Sequence, residues 1–478
     1  MISWVVVFMK TQGANQWAQE EFGHASLGDV RRTKRLIRFA ARVARRPAGM
    51  ITKAVTGVAA REGAFRWVES EHVSAEAVAK ASHEATVRRC AGESLVFVPV
   101  DQTSITVSDH GSTKGLGPAG DRKSRHVRGL QVMSALAVDM EGTPIGLCGQ
   151  SWWARSDTHS PPPKKDRRPA EQRESFHWVR VLRATDERFK RVAPTTRPWP
   201  QLDRGGDFWA PLVEAHENQW LLTVRAAYDR RLETSHAIKY LRPKLQAQRP
   251  IGHYRVEIEG RPGRPTRTAT LQVRVAKVVL RLKAYGQPTR KVPVTAILVR
   301  ESNRVPLGQT PLDWMLLTTY PVDTFEDACL VIRGYTQRWR IEDFHRTWKS
   351  SGCDIERSQL RSAAALQRWG TILAAVAARI ERLKHLSRQH PDLPANEELT
   401  RAEIDAAIIL SETKKHKVGD DLTLQQAVHL IAEIGGYTGK SSGGPPGSIV
   451  LSRGMHEILA AARVVEHLAG RTPGGRKM

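Results

Sequence analysis

Apolar positions along the chain change period several times, dividing it into helical, strand-rich and again helical stretches. Residues 15 to about 90 read as helices. There, SLGDVRRTKRLIRFAARVARR places Leu36, Phe39, Ala40 and Val43 at helical spacing, with Ser26 and Asp29 as cap candidates. From residue 95 the period shortens. LVFVPVD is a short apolar strand ending at Asp101. LQVMSALAVD (130–139) and PIGLCGQSWW (144–153) predict two more, joined by a turn at Glu141-Gly142. The polar SPPPKKDRRPAEQRES predicts a surface loop, and a helix follows at about 175–190. Residues 220 to 320 are strand-rich (WLLTVRA, HYRVEIEG, TATLQVRVAKVVLRL, VPVTAILVR, WMLLTTY), with basic loops such as EGRPGRPTR between strands. Helical character returns from Glu326 to about 390 and continues to the basic tail GRTPGGRKM, broken once by GGYTGKSSGGPPGS. The GKS in that break has only three residues between Gly435 and Gly439 and no strand before it, so it does not read as a phosphate loop.

The stretch YTQRWRIEDFHRTWK, residues 335–349, reads as one helix. At about 100° per residue, Tyr335, Arg338, Glu342 and Lys349 fall within an arc of about 60°. Ile341, Phe344 and Trp348 lie opposite at i, i+3, i+7, as an anchoring face would. One side is therefore buried and the other presents Glu342 among cations, which is either a solvated salt-bridge face or part of a site.

Charge narrows the choice. The 478 residues suffice for two or three domains, and 74 Lys+Arg against 49 Asp+Glu give a formal charge of +25. That excess implies a polyanionic partner, nucleic acid before membrane. Arg31, Arg32, Lys34, Arg35, Arg38, Arg42, Arg45 and Arg46 crowd one predicted helix. Such density suits a helix laid along phosphates and equally a solvated face. Cys90, Cys148, Cys329 and Cys353 have no metal-ligand spacing, which suggests a reducing compartment and argues against a structural zinc. The opening MISWVVVFM is too short to span a bilayer and follows no basic segment, and no longer apolar run occurs. A soluble, cytoplasmic protein is expected.

Three carboxylates could share metal. Asp101 closes a strand, and acids at the carboxyl ends of neighbouring strands converge on one crevice. Asp203 opens DRGGD before a predicted helix, and Glu342 lies on the polar face. Two Mg²⁺ ions about 3.5–4 Å apart need hard oxygen ligands from separate elements, as in-line displacement at phosphorus requires. Asp207 is an alternative second acid, placed at the helix start. Glu342 and His345 form E-x-x-H, half of a di-iron pattern with no visible second half.

Tyr335, Arg338, Glu342 and Lys349 are spaced Y-x2-R-x3-E-x6-K. The chain resembles bacterial insertion-sequence transposases of the DDE type with the Y-R-E-K signature. VDQTS (100–104) resembles their first-Asp motif and DRGGD their second. LGDVRRTKRL and EGAFRWVESEHVSAEAV resemble the amino-terminal DNA-binding region, SWWAR the segment after the third strand, and PLDWMLLTT the β-insertion. GGYTGKSSGGPPGSIVLSRGMHEIL resembles the carboxy-terminal helical region.

The resemblance implies an α/β fold: an RNase-H-like catalytic core with a β-rich insertion, a helical N-terminal DNA-binding domain and a helical C-terminal domain. The expected divisions are 1–90, 91–220, 221–320, 321–390 and 391–478, the last a dimerisation region. Asp101, Asp203 and Glu342 match the acids that hold two Mg²⁺ (or Mn²⁺) ions. Tyr335, Arg338 and Lys349 match phosphate holders, Trp314 a tryptophan filling the space of a flipped base, and Arg225 an active-site arginine. Arg31, Arg32 and Arg35 fall in the DNA-binding helix. The implied reaction is cut-and-paste transposition of double-stranded DNA by a homodimer. It runs through nicking, hairpin formation and opening at the inverted repeats, and strand transfer to target.

One segment departs from the pattern. The strand before the second acid reads TTRPWPQLD, with Pro198 and Pro200 where ladder donors are expected. Either the strand shrinks to Leu202 and its neighbours or Asp203 leaves the crevice, and GG at 205–206 loosens the same turn. A DNA-binding protein of this fold with a disabled site is therefore the alternative.

Overall fold

Asp29 rather than Ser26 caps the basic amino-terminal helix, its carboxylate accepting the Arg31 N–H at 2.8 Å. The computed structural model describes residues 13–108, 114–119, 127–156, 168, 172–258, 266–303, 305–306, 309–413, 415–439 and 444–469. MISWVVVFM, GRTPGGRKM, most of the Pro/Lys-rich loop, residues 259–265 of EGRPGRPTR, and Lys440 and Ser441 of GKS lie outside the described residues.

Five helices come first: α1 (Gly13–Phe22), α2 (Val30–Arg45), α3 (Ile51–Ala54), α4 (Val58–Glu69) and α5 (Ala75–Cys90). Leu36, Phe39, Ala40 and Val43 form the buried face of α2, as their spacing predicts. Next come β1 (Leu95–Val107), β2 (Gly117–Pro118), β3 (Arg128–Val138), β4 (Pro144–Trp153), α6 (Phe176–Val192), β5 (Arg197–Leu202), α7 (Trp209–Glu217), β6 (Thr223–Arg225) and α8 (Leu241–Gln246). Then follow β7 (Gly252–Ile258), β8 (Arg267–Leu282), β9 (Arg290–Glu301), β10 (Asp313–Thr318), α9 (Phe325–Thr336) and α10 (Trp339–Arg346). The last helices are α11 (Ala363–Gln389), α12 (Arg401–Leu410), α13 (Leu424–Ile434) and α14 (Ser448–Ala469).

One mixed sheet runs β2-β3-β1-β5-β6-β10-β9-β8-β7, with β4 pairing β3. Its centre, β1, β5 and β6, is parallel, and every other pairing is antiparallel. The set β4-β3-β1-β5-β6 with helices packed on it is the RNase-H-like core. The insertion's strands extend the same sheet: β10 covers the open edge of β6, pairing Leu316 with Arg225 and Thr318 with Thr223. Helix α11 is buried along nearly its whole length and packs against α2, α4, α5, β4, α13 and α14. It joins the amino-terminal helices, the sheet and the carboxy-terminal helices. Phe39 of α2 stacks on its Trp369 at 5.3 Å.

The proline-bearing strand is intact, contrary to expectation. β5 pairs with β1 along its whole length, from Leu95 opposite Arg197 to Val100 opposite Leu202. The Arg197 N–H donates to Ser94 O at 3.0 Å. Donors alternate sides along a strand, so Trp199 and Gln201 also face β1 while Pro198 and Pro200 face β6. There β6 pairs only with Gln201 and Leu202, so the missing N–H groups cost no ladder bond. Trp199 anchors the strand: it is fully buried, stacks on Tyr320 at 4.5 Å and donates from Nε1 to Thr223 Oγ1 at 3.0 Å. GG does not loosen the turn either. Asp203 Oδ1 accepts the Gly205 N–H at 2.7 Å, and a Cβ on Gly206 would meet Leu202 Cβ at 2.7 Å.

The segment 335–349 is not one helix. α9 tightens at Gln337, whose N–H reaches the carbonyls of Arg333 and Gly334, and α10 starts at Trp339. Arg338 keeps helical dihedrals (φ −55°, ψ −31°), so the side-chain phase carries through to Glu342. Beyond α10, Thr347–Ser351 is a π-turn, whose wider winding takes Lys349 off the predicted arc. Ile341, Phe344 and Trp348 are fully buried as predicted, but Tyr335, placed on the polar side, is buried too because α9 packs against the sheet.

Urea denaturation tests this account of β5. Pro198→Ala and Pro200→Ala should each change stability by less than about 1 kcal/mol, whereas Trp199→Ala costs about 3–5 kcal/mol. Proline replacements as damaging as that of Trp199 would contradict the facing deduced for them.

Candidate active site

The parallel register brings the first two acids together. Asp101 does not close its strand, since pairing with β3 carries β1 on to Val107. Val100 lies opposite Leu202, so Asp101, midway along β1, is level with Asp203, just past the end of β5. Glu342 reaches the same place from α10, through an arginine. Arg338 Nη2 donates to Glu342 Oε1 at 2.5 Å, and its Nη1 lies 3.6 Å from Asp101 Oδ2. Burial, then the Asp203 carboxylate, push Asp101 up to about 6 from 3.8. Glu342 adds to that rise, while the Gln102 N–H and Arg338 oppose it. Negative charge thus exceeds what Arg338 neutralises. Three hard oxygen donors with surplus charge suit a divalent cation such as Mg²⁺.

The three acids are not the tightest cluster. Among the described residues, ligand atoms of Asp343, Glu381 and His385 lie within 4.8 Å of one another. Cations already hold that trio. The Lys384 ammonium pairs with Glu381 Oε2 and lies 3.8 Å from Asp343 Oδ2. Glu381 Oε1 accepts hydrogen bonds from Thr347 (2.5 Å) and Ser448 (2.6 Å). Burial, then Arg340, Lys384 and Arg388, drive His385 down to about 2. This is an ion-paired junction fastening α10, the π-turn, α11 and the start of α14. Sequence reasoning missed it, because Glu381 sits unmarked inside the apolar run AAVAARIERLKHL.

Four phosphate-side candidates converge beside the acids. Burial raises the Tyr335 hydroxyl above its ordinary value, and the charges and hydrogen bonds of Arg338 and Arg225 oppose the rise. Trp314 meets Tyr335 edge-on at 6.0 Å. Arg225 Nη2 lies 3.5 Å from Asp313 O, which fixes it beside β10. Lys349 is elsewhere. Its ammonium pairs at 3.4 Å with Glu356, which accepts the Thr106 N–H and hydroxyl further along β1.

Asp207 is structural. Its fully buried carboxylate accepts the Ala227 N–H at 2.7 Å and pairs with Arg230 at 2.6 Å. His345 is a buried neutral core residue, held down to about 3 by burial and Lys349. On α2, Arg31 projects into solvent and pairs with Asp29, and Arg35 is exposed. Arg32 instead donates to the carbonyls of Leu27 (3.0 Å) and His72 (3.5 Å). A cavity of about 700 Å³ lies at the opposite ends of β5 and β6, around Arg197 and Leu221, and contains none of the acids.

Residues 134–378 match the family model described as Transposase DDE domain. That segment exceeds half of the chain, and the chain belongs to the DDE transposase family. Residues 14–73 match Transposase DNA-binding and residues 375–469 match Transposase Tn5 dimerisation domain, which makes it a transposase of the Tn5 type. The DDE match covers Asp203 and Glu342 and begins after Asp101. Divalent-metal-dependent nuclease and strand-transferase chemistry, DNA binding and dimer formation follow at family level. No helix among the described residues is long and apolar enough to cross a membrane.

Two substitutions separate the acids by role. The folded state raises Asp101, so its ionisation opposes folding above about pH 6 and has no effect below about pH 4. Asp101→Asn should therefore raise the melting temperature of metal-free protein above pH 6, by the equivalent of about 1–3 kcal/mol, and leave it unchanged at pH 4. A gain equal at both pH values would refute the charge crowding. Asp207→Ala strands Arg230 and should destabilise by about 3 kcal/mol, measured in urea.

Proposed function

We propose that this transposase moves its element by cut-and-paste. One strand is nicked at each transposon end, the freed 3′-hydroxyl attacks the opposite strand to form a hairpin, the hairpin is reopened, and the 3′ ends are joined to target. The observation that carries this reading is Asp203 level with Asp101 on the sheet, and Arg338 between Asp101 and Glu342. These carboxylates would hold two ions, Mg²⁺ or Mn²⁺. When bound, the ions supply activation of water or the 3′-hydroxyl and stabilisation of the leaving oxygen.

The chain's own groups do the rest. Arg338 and Arg225 clamp phosphate oxygens beside the cleaved bond and Tyr335 offers its hydroxyl. Trp314 fills the space left by a flipped base, offsetting part of an unstacking cost of a few kcal/mol. Lys349, further along β1 beside Glu356 and Thr106, holds a phosphate away from the reacting one. Arg31 and Arg35 present charge to the end sequence, while Arg32 braces their helix. In sequence, the proposed units are 1–90 for end binding, 91–220 and 321–390 for catalysis, 221–320 for the insertion, and 391–478 for dimerisation. Each subunit of a homodimer holds one inverted repeat and cleaves the other, in the cytoplasm on nucleoid DNA. The intact β5 and the tight turn after it support this reading over a DNA-binding protein of the same fold with a disabled site.

A nicking assay on the DNA flanking the gene tests the reading. Wild type should nick end-containing duplex with Mg²⁺, and Glu342→Ala should bind it without nicking. Wild-type binding without nicking would sink the enzymatic reading. Trp314→Ala should slow hairpin formation about 10–100-fold while nicking persists.

A further inference from the structure

Helices α2 and α14, from opposite ends of the chain, pack together beside a cavity of about 480 Å³. Arg38, Arg42, Arg45 and Arg46 line it from the amino-terminal side, and His456 and Arg463 from α14. Among the described residues no carboxylate lines it. Arg38 reaches the Lys34 carbonyl at 3.4 Å. The side chains of Arg42, Arg45, Arg46 and Arg463 have no hydrogen-bond or ion-pair partner among the described residues, and Arg46 Nε is buried without one. Burial and the facing Arg463 lower Arg45, and the weaker opposite pulls of Glu466 and Glu403 do not cancel them. Burial and Arg46 do the same to His456.

Like charges gathered around a half-enclosed space destabilise the fold unless a counter-charge enters. Guanidinium forks match the oxygens of a phosphate, and the cavity has room for one with its hydration but not for a duplex. We propose that this cavity binds a phosphate group, and that the phosphate is one of the DNA backbone. The DNA source is favoured because the α2 wall lies in the segment matching Transposase DNA-binding, while α14 lies in the segment matching the dimerisation domain. One phosphate held by both walls fastens the two ends of the chain together when DNA is bound. The inference goes beyond the catalytic reading, since a chain unable to nick would still bind phosphate here.

Full-length wild type, Arg45→Gln and Arg463→Gln are compared in two measurements, neither of which reads nicking. Arg463 is exposed, so its variant keeps the fold even if Arg45→Gln does not. In the first, melting temperature is followed with inorganic phosphate against chloride at matched ionic strength. Wild type should gain stability from phosphate, and the variants should equal or exceed it in chloride but lose the phosphate increment. In the second, duplex affinity is measured against salt, and the log–log slope should fall by about one for each arginine replaced. An equal phosphate increment in wild type and Arg463→Gln would overturn the site. A lost increment with an unchanged duplex slope would overturn DNA as the source and leave a free anion as the ligand.

Discussion

Crowding of like charge midway along β1 and just past the end of β5 is the constraint on which the rest of the structure depends. Two carboxylates lie at one level of adjacent strands, a third is brought in by a helix, and burial with the charge of Asp203 and Glu342 makes Asp101 resist ionisation. They stay together because rigid elements hold their backbones, and because Arg338 lies between Asp101 and Glu342. Arg338 is itself fixed by its neighbours, with Tyr335 facing its charge and Trp339 lying under the guanidinium at 5.3 Å. The site's own side chains thus leave negative charge in excess.

The surrounding architecture follows from holding that arrangement. Full pairing of β5 with β1, locked by Trp199, sets the level of Asp203. The insertion joins the core's sheet, and β10 thereby delivers Trp314 to the edge of Tyr335. On the other side, the Glu381 junction ties α10 and the π-turn to the first turn of α14. The Lys384 ammonium of this junction lies 3.8 Å from Asp343, the residue that follows Glu342.

Much of this was legible in the sequence, for identifiable reasons. The strands expected at 130–139 and 144–153, and the first half of β1, showed because they are apolar runs bounded by turn residues. The polar second half of β1, from Gln102 to Val107, did not show, and Asp101 does not close the strand. The anchoring face of Ile341, Phe344 and Trp348 showed because burial follows helical period even across a change of direction at Gln337. Pro198 and Pro200 misled, since a proline harms a strand only on the side where a neighbour needs its donor, and sequence does not say which side that is. Lys349 misled because the π-turn changes the angle per residue after Arg346. Arg32 looked like its exposed neighbours, yet two loop carbonyls occupy it. The Glu381 junction had no signature at all, because its partners come from three separate segments.

Cation binding distinguishes the proposed centre from the junction beside it. Mn²⁺ titration of the full chain, read by electron paramagnetic resonance without nicking substrate, compares Asp203→Asn with Glu381→Gln. Asp203→Asn should weaken binding at least about tenfold, while Glu381→Gln should leave it unchanged. Binding that survives Asp203→Asn and is abolished by Glu381→Gln would contradict the three-acid centre.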